Sequence, residues 1–135
     1  MKILICDTLN KQVVEELHKI GDCVDISTSL TKHEDLKKHI QDSEIIVIRS
    51  STKLTKEILK YGKKLIIIAR CGVGVDNIDT EFAKSQNIAV TNSPTANLIS
   101  VVELTVALVI NASRRISLAD KLSLIHISEP TRPIR

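Results

Sequence analysis

Five short apolar runs alternate with helical stretches along this chain, and that alternation limits what it can become. The runs are Lys2-Ile-Leu-Ile-Cys6, Cys23-Val-Asp-Ile26, Glu44-Ile-Ile-Val-Ile48, Leu65-Ile-Ile-Ile-Ala69 and Ile88-Ala-Val-Thr91. Most lack the strict polar alternation of a half-wet strand and read instead as strands covered on both faces. Between them lie helix patterns. The first ends at Ile20, carries Val13, Val14, Leu17 and Ile20 on one face, and is closed by Gly21. The second begins at a capping-box signature, Thr31-Lys-His-Glu34, and runs through Ile40. The third spans Thr55 to Tyr61 and is closed by Gly62; the fourth spans Thr80 to Gln86. Asp79 can cap the fourth helix, and Asn87 can end it in the left-handed region. The pattern predicts an α/β fold, a doubly wound five-stranded parallel sheet. Right-handed crossovers make a flavodoxin-like strand order the simplest solution.

Composition narrows the function. The chain is 43% hydrophobic but has one Tyr, one Phe and no Trp, so its core is aliphatic. A net charge of only +3, with almost no rings for base stacking, argues against a nucleic-acid partner. The odd set Cys6, Cys23 and Cys71 reads as reduced thiols of a cytoplasmic protein. No Cys or His pair has ligand spacing, so no metal site is expected. His33 and His39 read as solvated helix residues. The N-terminus enters a strand directly, which predicts no signal peptide.

Ligands of doubly wound sheets bind beyond the carboxyl ends of the strands. The polar loops Asp7-Thr8, Arg49 to Lys53, Arg70 to Asp76 and Asn92 to Asn97 all fall at that edge. The third has two glycines one residue apart, Gly72 and Gly74, before a helix. Such a loop can present successive backbone N–H groups to an anion. A tight turn without a ligand is the other reading of that loop alone. A dinucleotide fingerprint is excluded: Asn77 stands where a third small residue is needed, and the next strand ends in Asn92 rather than an acid.

A long helix is expected from Leu98 to about Ala119. From Leu98 to Ala112 its polar interruptions are Ser100, Glu103, Thr105 and Asn111, so it is apolar nearly all round. Such a helix is buried on all sides, here by a second domain or a partner chain. A membrane span is not expected: fifteen residues reach only about 22 Å against a roughly 30 Å hydrocarbon core. Beyond it, Leu122-Ser-Leu-Ile-His-Ile-Ser-Glu-Pro-Thr-Arg132 matches, residue for residue, the in-frame translation of a transposase adapter used in short-read sequencing libraries. Residues 122–135 are therefore expected to be a non-native tail.

Three segments together carry a resemblance: Ile48-Arg-Ser-Ser-Thr-Lys53, Ala69-Arg-Cys-Gly-Val-Gly-Val-Asp-Asn-Ile-Asp79 and Asn92-Ser-Pro-Thr-Ala-Asn-Leu-Ile-Ser-Val-Val-Glu103. From Met1 to about Lys121 the chain resembles the N-terminal segment of the D-isomer-specific 2-hydroxyacid dehydrogenases. Within that family it is most similar to the branch that oxidises D-3-phosphoglycerate to 3-phosphohydroxypyruvate in serine biosynthesis. The resemblance implies a two-domain, NAD-dependent, homo-oligomeric cytoplasmic enzyme with no membrane or nucleic-acid partner. Residues 1–97 would be its substrate domain, and 98–121 a helix leading into an NAD-binding domain. Arg49, Ser50 and Lys53 would contact a small phosphorylated 2-hydroxy acid. Backbone N–H groups at Val73 and Gly74 would hold its carboxylate, and Asn97 would reach it from the helix start. Val73 and Val101 would touch the nicotinamide.

The family's catalytic arginine, glutamate and histidine, and its dinucleotide fingerprint, match nothing here, so no catalytic residue is assigned and the chain alone is expected to be inactive. Two alternatives stay open: a glycerate- or glyoxylate-type 2-hydroxyacid dehydrogenase, and a standalone anion-binding or dimerisation module. A phospho-receiver domain shares the architecture but would need an aspartate where Arg49 stands.

Overall fold

The computed structural model describes residues 1–127. The apolar runs form β1 (Lys2–Ile5), β2 (Asp22–Asp25), β3 (Ile45–Ile48), β4 (Ile67–Arg70) and β5 (Ala89–Asn92). The helices are α1 (Lys11–Ile20), α2 (Lys32–His39), α3 (Lys56–Leu59), α4 (Thr80–Ser85), α5 (Leu98–Arg114) and α6 (Ile116–Ile127). All strand pairings are parallel, in the order β2-β1-β3-β4-β5, the flavodoxin-like solution. The order reverses between β1 and β3, which makes their carboxyl ends the switch point of the sheet.

Side chains alternate across the sheet into two clusters. Ile3, Ile5 and Val47 pack with Leu9, Val14 and Leu17, the last two on α1. Leu4, Ile46, Ile48 and Ile68 pack with Leu36 and Ile40 from α2 and its C-cap, Ile58 and Leu59 of α3, and Ala83 of α4. With helices on both faces, the central strands need no polar residue, which is why they read as unbroken apolar runs.

Three local expectations change. Gly21 ends α1 with extended backbone (φ −166°), not a left-handed turn. A side chain there would collide with the Met1 carbonyl oxygen, so close approach of the chain is what selects glycine. The capping box at Thr31 and Glu34 does not form. Thr31 is the N-cap, but its hydroxyl donates to Asp35 Oδ2 (3.0 Å) and not to the helix start. The long helix stops at Arg114, because Arg115 takes the left-handed conformation (φ 52°). α6 then carries helical structure through Leu122 to Ile127, where no continuing periodicity is evident in the sequence. The rest of the tail, residues 128–135, lies outside the described residues. Other caps match expectation: Phe82 N–H donates to Asp79 Oδ1 (2.9 Å), and Asn87 is left-handed (φ 58°).

The chain divides into two compact units, Met1–Ala96 and Asn97–Arg135. The sheet lies wholly in the first. In the second, the apolar side chains of α5 are exposed, Val106 at 52% and Val109 at 62%. No helix among the described residues is long and apolar enough to cross a membrane.

Candidate functional site

The centre of the strand-end edge is Asp7, the second residue past β1 and only 2% exposed. A buried carboxylate is costly unless every lone pair is used. Here the switch point brings α2 and the loop after β3 over it. Oδ1 accepts from Lys32 Nζ (2.5 Å), Thr52 Oγ1 (2.6 Å) and the Ser51 hydroxyl. Oδ2 accepts from the backbone N–H of Arg49 (2.6 Å) and of Thr52 (3.2 Å). Burial pushes the Asp7 carboxyl up, but the bonds from Lys32, Ser51, Thr52 and the Arg49 N–H outweigh it and hold it well below the usual carboxylate range. Its neighbour Cys6 has no such partners. Burial first, then the charge of Asp7, pushes that thiol up to about 12, so it is an unreactive core residue.

This network shapes the loop that carries Arg49. Asp7 grips the Arg49 backbone while the guanidinium stays exposed, with one long bond from Nη1 to the Thr8 carbonyl (3.4 Å). Asp7 is already answered by Lys32, and no carboxylate among the described residues pairs with Arg49. Its positive charge is therefore free for an incoming anion. Ser50 beside it is also exposed.

The glycine loop is stitched to that first loop. Leu54 and Ile78 form a parallel bridge, with Leu54 N–H donating to the Asn77 carbonyl (2.8 Å) and Asp79 N–H to the Leu54 carbonyl (2.9 Å). The Asn77 side-chain amide donates to the carbonyls of Arg49 (2.8 Å) and Thr52 (2.7 Å). On the other side, Asn92 Nδ2 donates to the Val73 carbonyl (2.6 Å) and Ser93 N–H to the Gly72 carbonyl (2.9 Å). Gly72 sits at φ +157°, and a side chain there would strike the Arg70 guanidinium. Gly74 is not left-handed. With both carbonyl flanks tied down, the N–H groups of Val73 and Gly74 donate to no acceptor among the described residues. Val73 is 43% exposed. Two adjacent free N–H groups on a braced loop suit a carboxylate.

Lys53 lines a crevice between α2 and α3 together with Lys32 and His33, and also a hollow beside Asp76, Asn77 and Asp79, whereas Arg49 reaches toward Thr8. Asn97 and Val101 belong to the second unit. Asn97 is the N-cap of α5 but makes no side-chain capping bond, and Val101 is 51% exposed.

Sequence reasoning passed over four residues that hold this edge together. Asp7 and Asn92 were visible only as polar residues at strand ends. Asn77 was read as the residue that spoils a fingerprint, yet it is the amide that joins two loops. Arg70 ends β4 and leaves Nε buried without a partner. No group of three or more His, Cys, Asp or Glu among the described residues could hold a metal ion.

The glycine loop does not fit a dinucleotide. The turn into α4 is occupied by Asn77, which is bonded across to the β3 loop, and no third glycine opens the helix start to a pyrophosphate.

Residues 3–128 match the D-isomer specific 2-hydroxyacid dehydrogenase catalytic domain. The chain belongs to that family. Among its relatives, the D-3-phosphoglycerate dehydrogenase of Methanocaldococcus jannaschii is 45% identical over 116 residues, which cover 86% of this chain and 22% of that one. A hydroxypyruvate reductase of Thermotoga maritima is 36% identical over 118 residues, covering 87% of this chain and 38% of its own length. Among solved structures, the NAD+-bound 3-phosphoglycerate dehydrogenase of Entamoeba histolytica superposes with a TM-score of 0.68 at 36% identity. That match covers 82% of this chain and 38% of that one. This member of the 2-hydroxyacid dehydrogenase family thus spans well under half the length of these relatives.

Proposed function

We propose that this chain is the substrate-binding part of an NAD-dependent D-3-phosphoglycerate dehydrogenase, which oxidises D-3-phosphoglycerate to 3-phosphohydroxypyruvate in serine biosynthesis. The observation that carries it is the pairing of an uncompensated guanidinium, Arg49, with two free N–H groups, Val73 and Gly74, on loops joined by Asn77. Such a pair takes a molecule with two anionic ends. The N–H groups hold the carboxylate as a fixed concavity, and Arg49 takes the phosphate in a fork. Ser50 adds a hydroxyl beside Arg49. The M. jannaschii phosphoglycerate dehydrogenase is among the relatives that support this substrate.

By the family resemblance, Asn97 would contact the substrate, and Val73 and Val101 the nicotinamide, in the full-length enzyme. NAD supplies the hydride acceptor in the full-length enzyme, but the residues present here form no pyrophosphate site. The full-length protein is a cytoplasmic homo-oligomer with its cysteines reduced. Residues from 122 onward are a non-native tail that contributes nothing to function.

The test is NADH formation by the full-length protein with D-3-phosphoglycerate and with D-glycerate. The phosphoester is expected to be preferred in kcat/KM, and Arg49→Met is expected to lower its kcat/KM by about a hundredfold while changing D-glycerate turnover far less. The 135-residue chain by itself is expected to form no NADH. Preference for the unphosphorylated acid would favour a second reading, a glycerate- or hydroxypyruvate-type dehydrogenase, which the T. maritima relative supports.

A further inference from the structure

A crevice of about 420 Å³ opens beside the substrate loops, between the start of α2 and the segment from Ser51 to Ile58. It lies at the switch point between β1 and β3, where doubly wound sheets generally bind ligands. Its volume falls in the range of small-molecule pockets, roughly 300–1,000 Å³. The floor is apolar, made by Leu36 and Ile58, each 3% exposed. The rim is cationic and polar: Lys32 and His33 on one side, Lys53 and Thr55 on the other.

No carboxylate lines this crevice. Asp7 neutralises Lys32 beneath the rim, but Lys53 pairs with no acid among the described residues. One uncompensated ammonium over an apolar floor sets the chemistry of the occupant. The crevice shares Ser51, Thr52 and Lys53 with the loop that carries Arg49, but Arg49, Val73 and Gly74 do not line it.

The geometry points to a second binding site here for a small organic anion. Its phosphate or carboxylate group is held by Lys53 and His33, and its apolar body rests on Leu36 and Ile58. This site does not depend on the substrate assigned to Arg49.

The 135-residue chain is treated with an amine-acylating reagent, and each lysine is followed by peptide mass spectrometry with phenyl phosphate present or absent. Phenyl phosphate is expected to slow acylation of Lys53 about fivefold or more and to leave the exposed Lys60 and Lys63 unchanged. Equilibrium dialysis then compares two variants at exposed positions. Lys53→Gln is expected to weaken phenyl phosphate binding about five- to tenfold, and in Arg49→Met phenyl phosphate is expected still to protect Lys53 from acylation. Equal slowing at every lysine would mean a diffuse ion atmosphere and would overturn the proposal. So would protection by inorganic phosphate as strong as by phenyl phosphate, since the apolar floor would then contribute nothing. Loss of binding in Arg49→Met with no loss in Lys53→Gln would move the anion to the substrate loops and overturn it as well.

Discussion

β3 and the middle of α5 are equally aliphatic and end in opposite surroundings. β3 reads Ile-Ile-Val-Ile, with its last three residues buried. In α5 the run Val106-Ala-Leu-Val-Ile110 leaves Val106, Leu108, Val109 and Ile110 between 48% and 62% exposed. Composition cannot tell these segments apart. A strand satisfies its backbone only by pairing, and pairing brings β1 and β4 alongside β3, with helices to cover both faces. A helix satisfies its own backbone, so nothing local obliges a partner to cover its side chains. Apolar character states a need for burial; pairing geometry is what met it in one segment and not in the other.

That contrast breaks most readily at Asp7, a carboxylate that the sheet buries to 2% exposure. Asp7→Ala leaves Lys32 and two backbone N–H groups facing a gap and is expected to cost about 3–5 kcal/mol in urea unfolding followed by circular dichroism. A loss below about 1 kcal/mol would mean that the network is not structural. The same residue makes stability depend on pH. Its folded carboxyl titrates below the ordinary range, so the stabilisation is complete above that range and is lost as pH falls through it toward the folded value. Asp7→Asn should flatten this acid limb; an unchanged limb would assign it to other carboxylates.

The next effect in size is at Asn77. Asn77→Ala removes two bonds from an amide whose Oδ1 already lacks a partner. The expected cost is about 1–2 kcal/mol, with the Leu54–Ile78 bridge loosened, measurable as faster amide exchange at Asp79. Exchange spread over the whole sheet would show that the two loops are not a local unit.

The smallest stability effect sharpens the other side of the contrast. Val102, Val106 and Val109 changed together to Gln should shift unfolding by no more than about 0.5 kcal/mol per site and should raise solubility in sedimentation assays. A loss above about 2 kcal/mol would show that α5 is packed as firmly as β3 and would erase the difference between them.

Much of the fold was legible because its signals are local. The apolar runs, Asp79 as a cap and Asn87 as a left-handed stop all depend on residues within one turn or one strand. One error arose where a second segment intervened. Gly21 answers to Met1 across the sheet edge; the Thr31 error is instead local, a competition from Asp35 one turn along the same helix. The site followed the rule seen at Gly21. Arg49, Val73 and Gly74 could be named from loop position, but that Asn77 joins their loops could not.

The sequence by itself determined the strands, the parallel α/β class and the loops at the ligand edge, since hydrophobic period and turn chemistry act over a few residues. Tertiary structure alone decided how Asp7 is bonded, because its partners stand 25 to 45 residues along the chain. Only the reversal of strand order between β1 and β3 brings those groups within hydrogen-bond distance of one buried carboxylate.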